Sequence, residues 1–133
     1  MIKIYLAGGF RSNWQLEVIS KFKDSFIFFN PQQHNLQAPD QYTSWDLHQV
    51  KNADILFGYM EESNPSGLGL AVEIGYAKAL NKTIILVDEK SNCNEKFAKY
   101  FQMARVSSNV VFNDLASGLD YLSSFVHKGQ INN

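Results

Sequence analysis

The chain has 133 residues, of which 45% are hydrophobic and 14% aromatic, and its formal net charge at pH 7 is −1. This length and composition predict one folded domain with a proper core and exclude a disordered chain. The small net charge gives no electrostatic basis for binding nucleic acid or an anionic membrane. The one cysteine, Cys93, excludes an internal disulfide, and we interpret it as an incidental exposed thiol.

No apolar run approaches the roughly 20 residues that a membrane-spanning helix needs. The residues after Met1 lead directly into a strand pattern, without the basic and apolar regions of a signal peptide. We therefore expect a cytoplasmic protein.

The spacing of apolar residues predicts five strands that alternate with helices. The predicted strands are 2–7, 26–29, 54–60, 83–87 and 109–112. The predicted helices are 14–22, 42–50, a segment after the glycine-rich loop that ends near residue 80, 97–103 and 115–126. With no internal repeat and no linker, residues 1–127 are expected to form a single domain, followed by a polar tail at 128–133.

Alternating strands and helices favour an α/β fold with a parallel sheet and helices on both faces. We expect a doubly wound five-stranded parallel sheet of the flavodoxin-like (Rossmann-like) type, with strand order 2-1-3-4-5 by analogy. In such sheets ligands bind at the carboxyl ends of the strands, where the strand order reverses. Gly8, Gly9 and Phe10 after the first strand, and the loop 61–69 after the third, lie at that edge.

The most informative stretch runs from residue 64 to residue 82. It begins with turn formers and glycines and continues as a helix that is apolar almost all round, which predicts a largely buried helix. Its carboxylate, Glu73, has no Lys or Arg three or four residues away and lies on a small or apolar face. Two interpretations stay open. Glu73 either reaches the surface and favours the helix N-terminus, or it is an ionised group suited to attack a sugar carbon.

The other candidates carry weaker signals. Gly67 and Gly69 lack both the Lys-Ser/Thr of a P-loop and the full dinucleotide fingerprint, so they are weak evidence for a nucleotide phosphate. Asp46, near the ligand edge, has the common alternative of a solvated helix residue. Tyr5 ends a buried strand and needs a partner for its hydroxyl. No two histidines show metal-ligand spacing, so we predict no metal site; His34 lies in a polar segment.

These segments together resemble the nucleoside 2-deoxyribosyltransferase family. The resemblance covers about residues 1–115 and is carried by residues 4–8, 45–47, 54–55, 69–77 and Lys82. It implies that Glu73 is a nucleophile that attacks C1′ of a 2′-deoxyribonucleoside and forms a covalent glycosyl ester. The base leaves, and the sugar passes to another nucleobase.

The resemblance also implies roles for other positions. Asp46 would act on the base, and Tyr5 would contact the nucleophile. Asn109, beside the fifth strand, would hold the 5′-hydroxyl in the site of a neighbouring subunit, which implies a homo-oligomer with shared sites. The remaining expected substrate-binding residues are Gly8, Gly9, Phe10, Arg11, Ser66, Gly67 and Gly69. The expected partners are a deoxynucleoside and a nucleobase, with no cofactor, nucleic acid polymer or membrane.

One position departs from the family pattern. The transferases carry an aspartate for the 5′-hydroxyl six residues before the nucleophile, where this chain has Gly67. Ser66 instead resembles an element of the related 2′-deoxynucleoside 5′-phosphate N-hydrolases, and Arg11 could add charge for a phosphate. Glu61 or Glu62 could alternatively replace the missing aspartate. A free nucleoside and a nucleotide therefore both remain possible substrates.

Three functions are compatible with these residues. We favour transfer of 2-deoxyribose between bases. The alternative is hydrolysis of a 2′-deoxynucleoside 5′-monophosphate, in which water replaces the second base. A further alternative is a nucleotide-binding domain without turnover, which the joint presence of Tyr5, Asp46 and Glu73 disfavours.

Overall fold

The computed structural model describes residues 1–126, in which five parallel strands form one sheet with the order 2-1-3-4-5. The strands are β1 (Lys3–Gly8), β2 (Ile27–Phe29), β3 (Ile55–Met60), β4 (Thr83–Asp88) and β5 (Val110–Phe112). The predicted fold class and strand order are confirmed. The polar tail predicted at 128–133 lies outside the described residues.

Helices connect the strands. They are α1 (Trp14–Phe22), α2 (Pro39–Asn52), α3 (Leu68–Ala79), α4 (Glu89–Cys93), α5 (Glu95–Tyr100), α6 (Gln102–Ser107) and α7 (Leu115–Ser123), with a 3-10 turn at Pro31–Gln33. None of the helices within residues 1–126 is long and apolar enough to cross a membrane.

The segment between β4 and β5 differs from the prediction of one helix at 97–103. It contains three short helices, because polar side chains cap local turns. Asp88 accepts the backbone N–H of Ser91 at the start of α4, and Asn94 accepts the N–H of Phe97 at the start of α5. Such caps fix helix ends independently of apolar spacing. Helix α2 likewise begins earlier than predicted, with Pro39 in its first turn.

Each face of the sheet buries its own apolar cluster. Successive side chains of a strand point to opposite faces, so Ile4 and Leu6 pack beneath α1 and α7, whereas Tyr5 and Ala7 pack beneath α2 and α3. The hydroxyl of Tyr5 therefore lies on the α2/α3 face.

Helix α3 is less buried than the sequence predicted. Leu70, Ile74 and Ala77 pack against the sheet. The exposed apolar side chains on α3 and the neighbouring α6 include Leu68, Val72, Met103 and Val106. The prediction of a largely buried helix was wrong, because α3 is apolar nearly all round but packs against the sheet along one side.

Two glycines shape the loops at the carboxyl edge of the sheet. Gly8 ends β1 with a φ of +148°, and a Cβ there would lie 2.5 Å from the carbonyl oxygen of Tyr59. Gly67 has a φ of +71°, and a Cβ there would lie 2.6 Å from Sδ of Met60. Any other residue would be strained at both positions, so glycine lets both loops turn away from the sheet and open a cavity.

Candidate active site

A cavity of about 730 Å³ opens at the carboxyl edge of the sheet, between the loops after β1, β2 and β3 and the helices α2 and α3. This is the edge where ligands bind in doubly wound sheets. The sequence-predicted residues that line it are Tyr5, Gly8, Gly9, Phe10, Asp46, Ser66, Gly67, Gly69 and Glu73. Arg11 and Asn109, the other two candidates, are not among its lining residues.

A hydrogen bond joins two of the cavity-lining residues, Tyr5 and Glu73. Tyr5 is fully buried, and its hydroxyl donates a hydrogen bond to Oε2 of Glu73 at 2.5 Å. The sequence indicated that Glu73 needs a partner, and the partner lies on β1, 68 residues away. Within residues 1–126, Oε1 of Glu73 has no hydrogen-bond partner, and the residue lines the cavity.

Burial sets the protonation of this pair. It raises the pKa of Glu73 to about 7; the Tyr5 hydrogen bond opposes this rise, and the nearby charge of Asp46 adds to it. Burial also raises the pKa of Tyr5 far above its usual range, and Glu73 adds to that rise. Tyr5 is therefore a permanent hydrogen-bond donor, whereas Glu73 can change its charge near neutral pH.

Asp46 faces the same cavity from α2, and His34 holds it. Oδ1 of Asp46 lies 3.1 Å from Nε2 of His34. Nδ1 of His34 accepts the backbone N–H of Leu36 at 2.9 Å, so the proton of the neutral ring is on Nε2 and is donated to Asp46. Burial raises the pKa of Asp46, and the hydrogen bond from His34 opposes this. The ring of Trp45 packs edge-on against His34 at 4.8 Å.

His34 is a site residue that the sequence did not single out. Its available signal was its position just after β2, because the loop after β2 lies beside the loop after β1 at the ligand edge. No group of three or more His, Cys, Asp and Glu side chains in the described part of the chain is arranged to hold a metal ion.

The loop before α3 is closed by Asn64. Oδ1 of Asn64 accepts the backbone N–H groups of Ser66 and Gly67, each at 3.2 Å. The backbone oxygen of Asn64 accepts a hydrogen bond from Nζ of Lys90. The N–H groups of Ser66 and Gly67 are therefore already bound by a side chain of the loop itself.

The two glutamates after β3 do not line the cavity. Glu61 is 5% exposed; Oε1 accepts a hydrogen bond from the hydroxyl of Ser12, and Oε2 has no partner within residues 1–126. Glu62 is exposed, and its backbone N–H donates to Glu89. Arg11 is also exposed. The structure thus brings neither glutamate to the position of the missing aspartate.

Asn109 lies at the opposite edge of the sheet within its own chain. Its Oδ1 accepts the N–H of Ile84 at 2.7 Å, and its own N–H donates to the carbonyl of Ile84 at 3.0 Å. Ile84 is near the amino end of β4, whereas the cavity lies beyond the carboxyl ends. A role for Asn109 in the site of a neighbouring chain stays a prediction.

The sequence of residues 1–91 matches the protein family described as nucleoside 2-deoxyribosyltransferase like. Because this match covers well over half of the chain, the protein belongs to that family. Comparison with curated protein sequences gave no significant match.

Solved structures share the fold. A 2-deoxyribosyltransferase from Bacillus psychrosaccharolyticus aligns with a TM-score of 0.66 and 24% identity over 96% of this chain and 94% of that chain. The CMP N-glycosidase BcmB of Clostridium botulinum aligns with a TM-score of 0.61 and 22% identity over 92% of this chain and 99% of that chain. A 2-deoxyribosyltransferase from Leishmania mexicana aligns with a TM-score of 0.67 and 14% identity over 94% of this chain and 99% of that chain. Transferases and an N-glycosidase are thus built on this same fold.

Proposed function

We propose that this protein is a nucleoside 2-deoxyribosyltransferase that moves 2-deoxyribose from one nucleobase to another through an ester on Glu73. The observation that carries the proposal is the 2.5 Å hydrogen bond between Tyr5 and Glu73 inside the cavity that Asp46 also lines. It holds a carboxylate by one oxygen and leaves the other open to a ligand. Family membership supports the same chemistry.

The first half-reaction cleaves the glycosidic bond. Oε1 of ionised Glu73 attacks C1′ while the bond between C1′ and the base nitrogen breaks, through a transition state with oxocarbenium character. Asp46 in its protonated form gives its proton to the departing base, or hydrogen-bonds it as charge develops. Tyr5 keeps the carboxylate of Glu73 aimed at C1′. The products are the free base and a glycosyl ester.

The second half-reaction reverses these roles. A second base attacks C1′ through a ring nitrogen, the ester bond to Glu73 breaks, and the nitrogen's proton passes to Asp46. Glu73 leaves as a carboxylate that the Tyr5 hydroxyl stabilises. Each group therefore returns to its starting state without a cofactor.

With its pKa near 7, Glu73 is partly ionised at neutral pH and becomes fully ionised as the pH rises. Burial also raises the pKa of Asp46, and the hydrogen bond from His34 opposes this rise. We expect kcat/KM to rise with pH through about 7, because protonated Glu73 cannot attack C1′.

Incubation of the protein with a deoxynucleoside and a second base, followed by chromatography, tests the proposal. A new nucleoside supports transfer, whereas free base with deoxyribose alone would indicate a hydrolase, and no change would indicate binding without turnover. A parallel incubation with the 5′-monophosphate separates nucleoside from nucleotide substrates. Glu73→Gln is the matched control, because it keeps the shape of the side chain but cannot form the ester.

We also propose that the protein assembles as a homo-oligomer. Leu68 and Val72 line the cavity and yet are 74% and 58% exposed, so the apolar surface of α3 continues from the site onto an uncovered face. Exposed apolar side chains that lie close together are typical of the core of a subunit interface. In such an assembly Asn109 of one subunit would serve the 5′-hydroxyl in the site of the next.

Subunit mixing tests this arrangement. Glu73→Gln and Asn109→Ala variants are prepared separately; the Ala variant removes the whole amide, including the acceptor for the N–H of Ile84. Both should be inactive alone, and random pairing in a dimer should restore about a quarter of the sites. A monomer by light scattering at working concentration, or no recovered activity on mixing, would contradict the shared site.

A further inference from the structure

We propose that the side-chain amide of Asn64 binds the 5′-oxygen of the sugar and makes the site selective for an uncharged 5′-hydroxyl over a 5′-phosphate. The inference rests on the proposed function, since it takes C1′ of the substrate to lie at Glu73.

The order of the strands fixes which end of the substrate meets Asn64. The loops after β2, β1 and β3 follow one another along the carboxyl edge, in that order. His34 and Asp46 lie on the β2 side, and Asn64 lies on the β3 side. A nucleoside carries its base and its C5′ at opposite ends of the sugar ring. With the base at Asp46 and C1′ at Glu73, C5′ points towards the loop after β3.

The amide of Asn64 has a fixed orientation. Its Oδ1 accepts two backbone N–H groups, so Nδ2 must point the other way. Nδ2 lies 3.1 Å from the position of a Cβ on Gly9, which places it across the mouth of the loop after β1. No residue among 1–126 accepts a hydrogen bond from Nδ2, although Asn64 lines the cavity. This donor is therefore available to a ligand.

The conformation of Gly67 explains why the loop uses Asn64. At Gly67 φ is +71° and the space for a Cβ is filled by Sδ of Met60. A side chain at residue 67 would be strained and would collide. Asn64 is thus a polar side chain of this loop whose Oδ1 is fixed by backbone hydrogen bonds and which also lines the cavity.

The charges around this end of the cavity disfavour a phosphate. None of the cavity-lining residues in the described chain is Lys or Arg, whereas Asp46 and Glu73 are both present. The buried Glu61 places Oε2 3.8 Å from the Cβ position of Gly9, on the side where Asn64 also lies. Two of the loop N–H groups, those of Ser66 and Gly67, already bind Oδ1 of Asn64 and cannot bind an anion. A neutral hydroxyl meets none of these penalties.

The experiment compares kcat/KM for a 2′-deoxynucleoside, its 2′,5′-dideoxy analogue and its 5′-monophosphate. The wild-type protein should prefer the 5′-hydroxyl over the 5′-deoxy substrate by about tenfold, the scale of one hydrogen bond, and over the monophosphate by at least as much. In Asn64→Ala the first preference should fall by about fivefold or more, because the Asn64 donor is lost while the proposed contact from Asn109 of a neighbouring subunit remains.

Asn64→Asp is the matched control, because its carboxylate still accepts the N–H groups of Ser66 and Gly67 and so keeps the loop. It can accept a hydrogen bond from a 5′-hydroxyl, so the first preference should persist. Discrimination against the monophosphate should grow by about tenfold or more, since a charge then faces the phosphate. An unchanged hydroxyl preference in Asn64→Ala, or unchanged discrimination in Asn64→Asp, overturns the assignment. A wild-type preference for the monophosphate overturns the selectivity.

The same compounds distinguish failure of the proposed function from failure of the role assigned to Asn64. If the wild-type protein converts none of the three compounds, transferase and hydrolase activity both fail, and the same ratios are measured as dissociation constants by calorimetry. Binding that depends on the 5′-hydroxyl and loses this dependence in Asn64→Ala then supports the role of Asn64. Equal binding of all three compounds, or none, overturns it.

Discussion

Two tyrosine–glutamate hydrogen bonds lie on opposite faces of the sheet. On the α2/α3 face, Tyr5 of β1 donates to Glu73 at 2.5 Å; on the α1/α7 face, Tyr59 of β3 donates to Glu89 at 2.7 Å. Burial raises the pKa of both tyrosines, and hydrogen bonding to the glutamate adds to the rise. In both pairs, therefore, the phenol is the donor and the carboxylate the acceptor.

The two pairs differ in the second carboxylate oxygen. Oε1 of Glu89 accepts the backbone N–H of Glu62 at 3.2 Å, so both oxygens of Glu89 serve to tie the loop after β3. Oε1 of Glu73 has no such partner within residues 1–126, and it shares its cavity with Asp46. Both oxygens of Glu89 are used in a structural tie, whereas Glu73 keeps one oxygen open for the reaction proposed above.

The largest expected effect is a loss of kcat/KM in a variant of Glu73 that a variant of Glu89 does not share. Glu73→Gln should lower kcat/KM by about 10³-fold or more, because the amide cannot form the ester. Glu89→Gln, the matched control on the other face, should change it by less than about threefold. A 2′-fluorinated arabinosyl nucleoside should leave an adduct on Glu73, located by peptide mass spectrometry. An adduct on another residue, or similar losses in both variants, would show that the difference between the pairs is not catalytic.

Stability should respond to Glu73 with a defined sign. Its pKa rises from 4.5 in the unfolded chain to about 7 in the folded protein, so the ionised form destabilises the fold above pH 7. Glu73→Gln should therefore raise the free energy of unfolding by ~3 kcal/mol at about pH 8. The gain should shrink as the pH falls through 7 and disappear below 4.5. Urea unfolding at several pH values measures this, and a gain that is independent of pH would contradict it.

Asp46→Asn should lower kcat/KM by roughly 10²-fold, the usual scale for a lost proton transfer. The substitution keeps an oxygen that can accept the Nε2 proton of His34, so the geometry of the site is preserved. The pH–rate profile of the variant should lose the contribution of Asp46 and keep that of Glu73. An unaltered profile would remove Asp46 from the mechanism.

The fold could be predicted from the sequence because its signals are local. Continuous apolar strands and their alternation with helices indicated a parallel sheet, and β1, β3 and β4 lie within a residue or two of their predicted bounds. The burial of α3 could not be predicted in this way. Its apolar pattern does not tell which of its side chains contact the sheet, and Leu68 and Val72 are exposed.

The site was predictable where one element carries the signal. Glu73 could be selected because its helix face holds no countercharge, but the identity of its partner depends on how β1 lies beneath α3. The pairing of His34 with Asp46 similarly joins a loop to a helix. The turn at Asn64 could have been predicted from the sequence, because an Asn before Pro-Ser-Gly is typical of a side chain that binds the N–H groups following it.

Tyr5→Phe should have a smaller effect than the changes to the carboxylates. The Tyr5 hydrogen bond lowers the pKa of Glu73, so its loss should move the rising limb of the pH–rate profile to higher pH. At pH values below this limb kcat/KM should fall by about tenfold, because less Glu73 is ionised. Tyr59→Phe is the matched control and should leave the limb in place. A shift to lower pH in Tyr5→Phe would contradict the assigned hydrogen bond.

The smallest expected effect on activity is that of Tyr59→Phe, on the α1/α7 face of the sheet. Tyr59→Phe removes one hydrogen bond to Glu89 and should lower the free energy of unfolding by about 1 kcal/mol, while kcat/KM stays within about twofold of the wild type. The aromatic ring keeps its edge-on packing against Trp14 at 5.4 Å, so the loss is confined to the hydroxyl. Glu89 also retains the N–H of Glu62, which keeps the loop near its position. A loss of activity larger than that of Tyr5→Phe would mean that the Tyr59 tie positions the site, and that the two faces are coupled.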